Sequence, residues 1–184
     1  MKRVVQQIYS QLIDKFIRTM FMITKVKLTT AILNTFDSIG ACRVKASDSH
    51  LYKGHQIVIP GEIDVLIYVQ KSSGSNCYYL NFDLLSLDLK PFKEGIWPYI
   101  LYFRIEDVKG FEDYRMLKFQ DYIDDTLVNK SESESRAYLQ VFLEKIKSNI
   151  DIFKQMKSKN GLASLLKSKI INSGLNDDAL SLLS

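Results

Sequence analysis

Apolar residues recur every three or four positions at the start of the chain. Val5, Ile8, Leu12, Phe16, Met20 and Ile23 would line one side of a helix, with Gln7, Asp14, Lys15 and Arg18 outward. A second helix is predicted from about Thr29, with Thr30 as its cap, Ile32, Leu33 and Phe36 on its apolar side and Gly40 ending it. A short strand over 42–46 and a polar loop over 47–54 follow. The period then changes from 3.6 to 2. Residues 56–69 and 77–89 are rich in β-branched and aromatic side chains and flank Lys71-Ser72-Ser73-Gly74-Ser75-Asn76, a turn composition. They read as an antiparallel hairpin. Residues 99–105 predict a third long strand, although their length also admits a short helix beginning at Pro98. No element is assigned over 112–127. The run Ser131-Glu132-Ser133-Glu134-Ser135 is a polar hinge whose serines can cap the helix predicted over 134–156. That helix has the apolar stripe Leu139, Phe142, Leu143, Ile146, Ile150 and Phe153. A shorter helix carrying Lys167 and Lys169 follows Gly161.

These elements predict one α+β domain, an antiparallel β-meander of three to five strands flanked by N-terminal and C-terminal helices. Residues 1–130 would form the helix and meander core. Residues 131–184 would be a C-terminal helical segment packed on the same domain.

Composition narrows the function classes only a little. The chain has 184 residues, enough for one sizeable core, and its 46% apolar and 25% charged fractions are ordinary. A net charge of +4 admits a nucleic-acid or other anionic partner without requiring one. Cys42 and Cys77 stand far apart with no CxxC, and His50 and His55 have no cysteine beside them, so neither a disulfide framework nor a zinc site is indicated. No uncharged run reaches the length of a signal sequence core or a membrane span. The expectation is a cytoplasmic protein with no membrane partner. There is no glycine-rich phosphate loop and no G-x-S-x-G elbow.

The candidate chemistry lies in Pro60-Gly61-Glu62-Ile63-Asp64-Val65-Leu66-Ile67. Read as a continuous strand, it sets Glu62 and Asp64 on the side opposite Ile63, Val65 and Ile67. With the turn centred between Ser73 and Gly74, Asp64 falls across from Asp83, and Asn81 shares that side. A β-bulge at Leu84-Leu85 would bring Ser86 and Asp88 to it as well. Such a patch of like charge needs a divalent ion, a basic partner or open water. Oxygen-only ligands suit magnesium or manganese.

The stretch 29–90 resembles the PD-(D/E)xK, or restriction-endonuclease-like, nuclease superfamily. The resemblance rests on a helix ending in Gly40, a strand from Cys42, the Gly-Glu-Ile-Asp strand and the strand after it. It implies metal-dependent phosphodiester hydrolysis, with Asp64 and Asp88 as metal-binding and catalytic carboxylates, Glu62 and Asp83 as further ligands, and Lys90 orienting the attacking water. By register the second motif falls on Asn81-Phe82-Asp83, whereas Asp88-Leu89-Lys90 reads as D-x-K. This leaves a catalytically degenerate member as one form of the same expectation. The cofactor would be Mg2+ or Mn2+ if the site is active and none otherwise. Lys145, Lys147, Lys154 and Lys157 would contact the phosphate backbone of a nucleic acid.

A second expectation comes from a different class. A non-catalytic α+β binding protein, such as a toxin-neutralising immunity protein or an adaptor, would turn an acidic sheet face toward a basic protein partner.

Overall fold

The computed structural model describes residues 23–44, 57–86, 99–174 and 176–183. The helix expected over residues 5–23, the loop over 47–54, His50 and His55, and Asp88 and Lys90 fall almost wholly outside that set.

Helix α1 (Lys25–Phe36) begins four residues before the predicted start, because Thr24 caps it by accepting from the Lys27 N–H at 3.2 Å. Thr30, expected as the cap, is inside the helix. Its hydroxyl and those of Thr29 and Thr35 bond back to carbonyls four residues earlier, which removes their competition with the backbone. Leu28, Ile32 and Phe36 form the buried stripe. A 3-10 turn (Asp37–Ile39) follows, and Gly40 closes it at φ +87°, a left-handed position that glycine takes without strain.

The expected strand over 56–69 is two strands. Pro60 removes a donor, and the chain reverses over 60–63, leaving β2 (Ile57–Ile59) antiparallel to β3 (Asp64–Lys71) with Ile57 opposite Ile67 and Ile59 opposite Val65. β1 (Cys42–Arg43) pairs with β2 on its far side. β4 (Cys77–Leu85) and β5 (Tyr99–Arg104) complete a sequential antiparallel meander, and β6 (Leu117–Lys118) pairs with the start of β4. The architecture is the expected α+β meander with helices on its N- and C-terminal sides.

The β3–β4 register differs from the predicted one by two residues. Asp64 lies opposite Leu85, and Asp83 opposite Leu66. The loop is Ser73–Asn76, closed by the Ser72 N–H to the Cys77 carbonyl, with Gly74 in its left-handed position. Asn76 is held inward by bonds to Gln120 and Phe119, which moves the centre of the turn toward the C-terminus. The irregularity expected at Leu84-Leu85 is present, but the extra residue is on β5: Leu84 faces Leu101 and Leu85 faces Tyr99. Both leucines are buried because each side of the sheet is covered there. Leu84 belongs to the main core, and Leu85 joins a small cluster with Val58 and Leu66.

Beyond β6 stands a separate hairpin, β7 (Gln120–Ile123) and β8 (Thr126–Asn129). The predicted 134–156 helix is two helices, α2 (Glu132–Ser148) and α3 (Ile150–Gln155). Asn149 separates them by turning its side-chain amide onto the Lys145 carbonyl at 2.9 Å. α4 (Lys159–Lys167) and α5 (Asn176–Leu183) end the fold. Phe153 ties these layers together, with ring centroids 5.0 Å from Phe36, 5.8 Å from Phe82 and 6.0 Å from Phe111. No helix among the described residues is long and apolar enough to cross a membrane.

Ser131 caps α2 reciprocally: its hydroxyl accepts from the Glu134 N–H and donates to the Glu134 carboxylate, which also accepts from the Ser131 N–H at 2.8 Å. Ser131→Ala should therefore lower unfolding stability by about 1 kcal/mol, read as a lower urea midpoint at unchanged slope. Those bonds, the hydroxyl's first, hold the Glu134 carboxyl below its ordinary range. Its stabilising contribution is then complete above the ordinary carboxylate pKa and is lost as pH falls through the folded-state value. The stability gap between wild type and Glu134→Gln should close on acidification.

Candidate functional site

The two carboxylates of the Gly-Glu-Ile-Asp stretch have separate local tasks. Glu62 lies in the 60–63 turn rather than on a strand. Its Oε2 accepts from the Lys159 N–H at 2.9 Å, at the positive end of α4, and its Oε1 lies 3.9 Å from the Lys159 ammonium. Asp64 opens β3, and its Oδ1 accepts from the Gly61 N–H at 3.1 Å, closing the turn. The turn is seated on the α3–α4 junction by the Ile63 N–H, which donates to the Lys157 carbonyl at 3.0 Å. Gly61 makes that approach feasible, since a Cβ there would sit 2.6 Å from the Lys157 carbonyl oxygen.

Asp64 and Asp83 project from the same side of adjacent strands, one diagonal step apart. The surroundings of Asp83 are aromatic and cationic. Asp83 faces Tyr102, and Asn81 faces Tyr68 on one side and Arg104 on the other. Asn81 is fully buried, and its Oδ1 accepts from the Tyr102 hydroxyl at 2.9 Å. Arg104 stacks its guanidinium 4.7 Å from the centre of the Tyr79 ring and lies 3.9 Å from Glu106. A hydrogen bond to Tyr102 is the first cause that raises the Arg104 guanidinium above its ordinary range. Burial pushes the Glu106 carboxyl up, and burial, then the proximity of Tyr102 and Asp83, raises the Tyr68 hydroxyl well above the ordinary tyrosine range. An open cleft of about 320 Å³ borders this group, lined by Tyr102, Arg104, Glu106, Asp107, Ser173 and Gly174. The face is thus mixed in charge rather than acidic. It is suited to hydrogen bonding and to flat aromatic and guanidinium contacts.

Among the described residues no three His, Cys, Asp or Glu side chains gather as a metal cluster. Asp88 and Lys90 lie outside those residues. The lysines expected at a phosphate backbone are dispersed. Lys157 donates from Nζ to the Ile39 carbonyl at 2.9 Å, and Lys147 pairs with Glu144 at 2.8 Å. Lys145 sits over Phe111 and Tyr114 at 5.5 and 5.3 Å, and Lys154 is exposed in the last turn of α3.

The β7–β8 hairpin was not anticipated. Its turn is Asp124-Asp125, both with positive φ (47° and 58°), the two-residue type that matches strand twist. Aspartate tolerates that conformation better than most side chains. Aromatic and branched residues on either side of an Asp-Asp pair were the available signal. Tyr122 and Leu127 share one side, and Ile123 and Val128 the other. All four are exposed, from 41% at Val128 to 72% at Tyr122.

Gly61→Ala should cost about 2 kcal/mol or more in a denaturant titration, because backbone rather than a flexible side chain must give way. Tyr102→Phe should cost about 1 kcal/mol by leaving the Asn81 amide without its partner. In an ultraviolet alkaline titration, wild type should hold back one tyrosine that Tyr102→Phe releases at lower pH. The sign follows from the raised Tyr68 value: its contribution to stability is intact below the ordinary tyrosine range and is lost as pH rises from there through the higher folded-state value. Comparison of the chain with protein-family models, curated proteins and solved structures finds no match.

Proposed function

We propose that this chain is a non-catalytic α+β binding protein that recognises another protein. One observation carries the reading: Glu62 and Asp64, on which hydrolysis would depend, are built into the scaffold. Glu62 caps α4 across the fold, and Asp64 closes the turn that presents it. A carboxylate already accepting backbone N–H bonds has less capacity left for a cation. The exposed surface agrees. Tyrosine and arginine, the side chains enriched at protein interfaces, gather on one sheet side, with Tyr102 exposed and Tyr68, Tyr79 and Arg104 half-buried beside it. An inhibitor or adaptor of the kind that neutralises a basic toxin is the class this suits.

The nuclease-like reading retains one favourable feature, the diagonal placement of Asp64 and Asp83 on one sheet side. With Asp88 and Lys90 it would make a magnesium- or manganese-dependent phosphodiesterase acting on nucleic acid. The two readings separate in one experiment, in which the protein is incubated with DNA and RNA substrates in magnesium or manganese, with Asp64→Ala alongside. The binding reading expects no cleavage and no rise in melting temperature with either metal. Cleavage that disappears in Asp64→Ala would overturn it.

A further inference from the structure

We infer that the β7–β8 hairpin is a docking arm that captures an extended basic segment of a protein partner by strand addition. This rests on the reading of the chain as a binding protein and names the surface and the chemistry of its partner.

The arm is rigid at its root and bare beyond it. Phe119, just before β7, is fully buried, with its ring 5.6 Å from Tyr138 and 6.0 Å from Tyr78. Its N–H donates to the Asn76 carbonyl at 3.1 Å, and its carbonyl accepts from the Lys130 N–H at 3.0 Å. Gln120 accepts from the Asn76 N–H at 2.9 Å. From Asp121 to Asn129 every residue is exposed. The arm holds four of the eight large apolar side chains that are exposed among the described residues, within seven consecutive positions. Ordinary exposed apolar residues are scattered singly; a concentration of this kind marks a contact surface.

The backbone supplies the mode of contact. β7 and β8 form a sheet of two, so the described residues pair neither outer edge. An isolated two-stranded ribbon is marginal in water, and a third strand would supply main-chain hydrogen bonds and cover one apolar side. Charge supplies the partner. Asp121, Asp124 and Asp125 stand against Lys130, which is bound to Asp121 at 2.9 Å, so the arm is acidic in a chain of net charge +4. A second copy would bring two acidic tips together, and nucleic acid or an anionic lipid surface would be repelled. A segment alternating lysine or arginine with branched apolar residues matches both the acidic tip and the side formed by Tyr122 and Leu127.

The test uses the full chain and a fluorescently labelled nonapeptide alternating Lys and Val. Anisotropy should report a dissociation constant below about 1 mM that weakens with added salt. A Glu–Val peptide, and a Lys–Val peptide methylated on alternate backbone nitrogens, should bind at least roughly tenfold more weakly. The double variant Asp124→Asn/Asp125→Asn keeps residues that tolerate positive φ and should weaken binding roughly fivefold. Tyr122→Ser/Leu127→Ser should abolish it with little change in melting temperature, because those side chains lie outside the core. No binding at about 1 mM, equal binding of the Glu–Val peptide, or indifference to both variants would overturn the inference. So would a dimer in sedimentation equilibrium that Tyr122→Ser/Leu127→Ser dissolves, which would make the occupant a second copy. Nucleic-acid cleavage would overturn the binding reading itself, whereas a cleavage-inactive protein that ignores the peptide would overturn only the assignment of the arm.

Discussion

The packing of Phe153 is the contact on which the rest of the molecule depends. Its ring meets Phe36 at the end of α1, Phe82 in the central strand and Phe111 in the loop after β5. Burying one such ring stabilises by about 2–3 kcal/mol, but its larger effect is geometric. Asn149 ends α2 one residue before α3 begins, and Phe153 on α3 reaches three separate segments at once. Lys157 follows one helical turn later. Its ammonium is thereby brought to the Ile39 carbonyl and its own carbonyl to the Ile63 N–H.

The 60–63 turn owes its position to that arrangement. Gly61 lies against Lys157, and Glu62 meets the first N–H of α4. An acidic side chain at a helix start serves the helix dipole and one orphan donor together. The same carboxylate viewed only in sequence looks like a ligand, because its partner is 97 residues away. The outer sheet side shows the complementary case. Asp83 keeps company with Arg104, Tyr68 and Tyr102, and burial first, then Tyr102 and Asp83, push the Tyr68 hydroxyl above the ordinary tyrosine range.

Local patterns were legible where local physics decides. The stripe from Phe142 to Phe153, the Ser131–Glu134 box, the Gly40 stop and the antiparallel pairing of β3 with β4 all rest on short-range spacing. The errors fall where a distant contact decides. Asn76 shifted the β3–β4 register by bonding to Phe119 and Gln120, and Thr29 and Thr30 gave up their role at the start of α1 once their hydroxyls bonded backward. The apolar run 56–69 concealed a reversal because both β2 and β3 are buried, leaving Pro60 and Gly61 as the only marks of it. At the candidate site, Asp64 and Asp83 do share a sheet side. The hydrogen-bonded layer of Tyr68, Asn81, Tyr102 and Arg104 depends on β5, whose register against β4 has no signature in sequence.

Phe119 separates two evolutionary regimes along a few residues. On its inner side, at Asn76, Tyr78 and Tyr138, any change disturbs packing and backbone bonds together. On its outer side, from Asp121 to Asn129, side chains touch so little of the fold that they can be exchanged almost freely. Selection can therefore rewrite what the arm recognises without touching what keeps the protein folded. A lineage of such chains would diverge fastest at the hairpin while its aromatic root stayed constant.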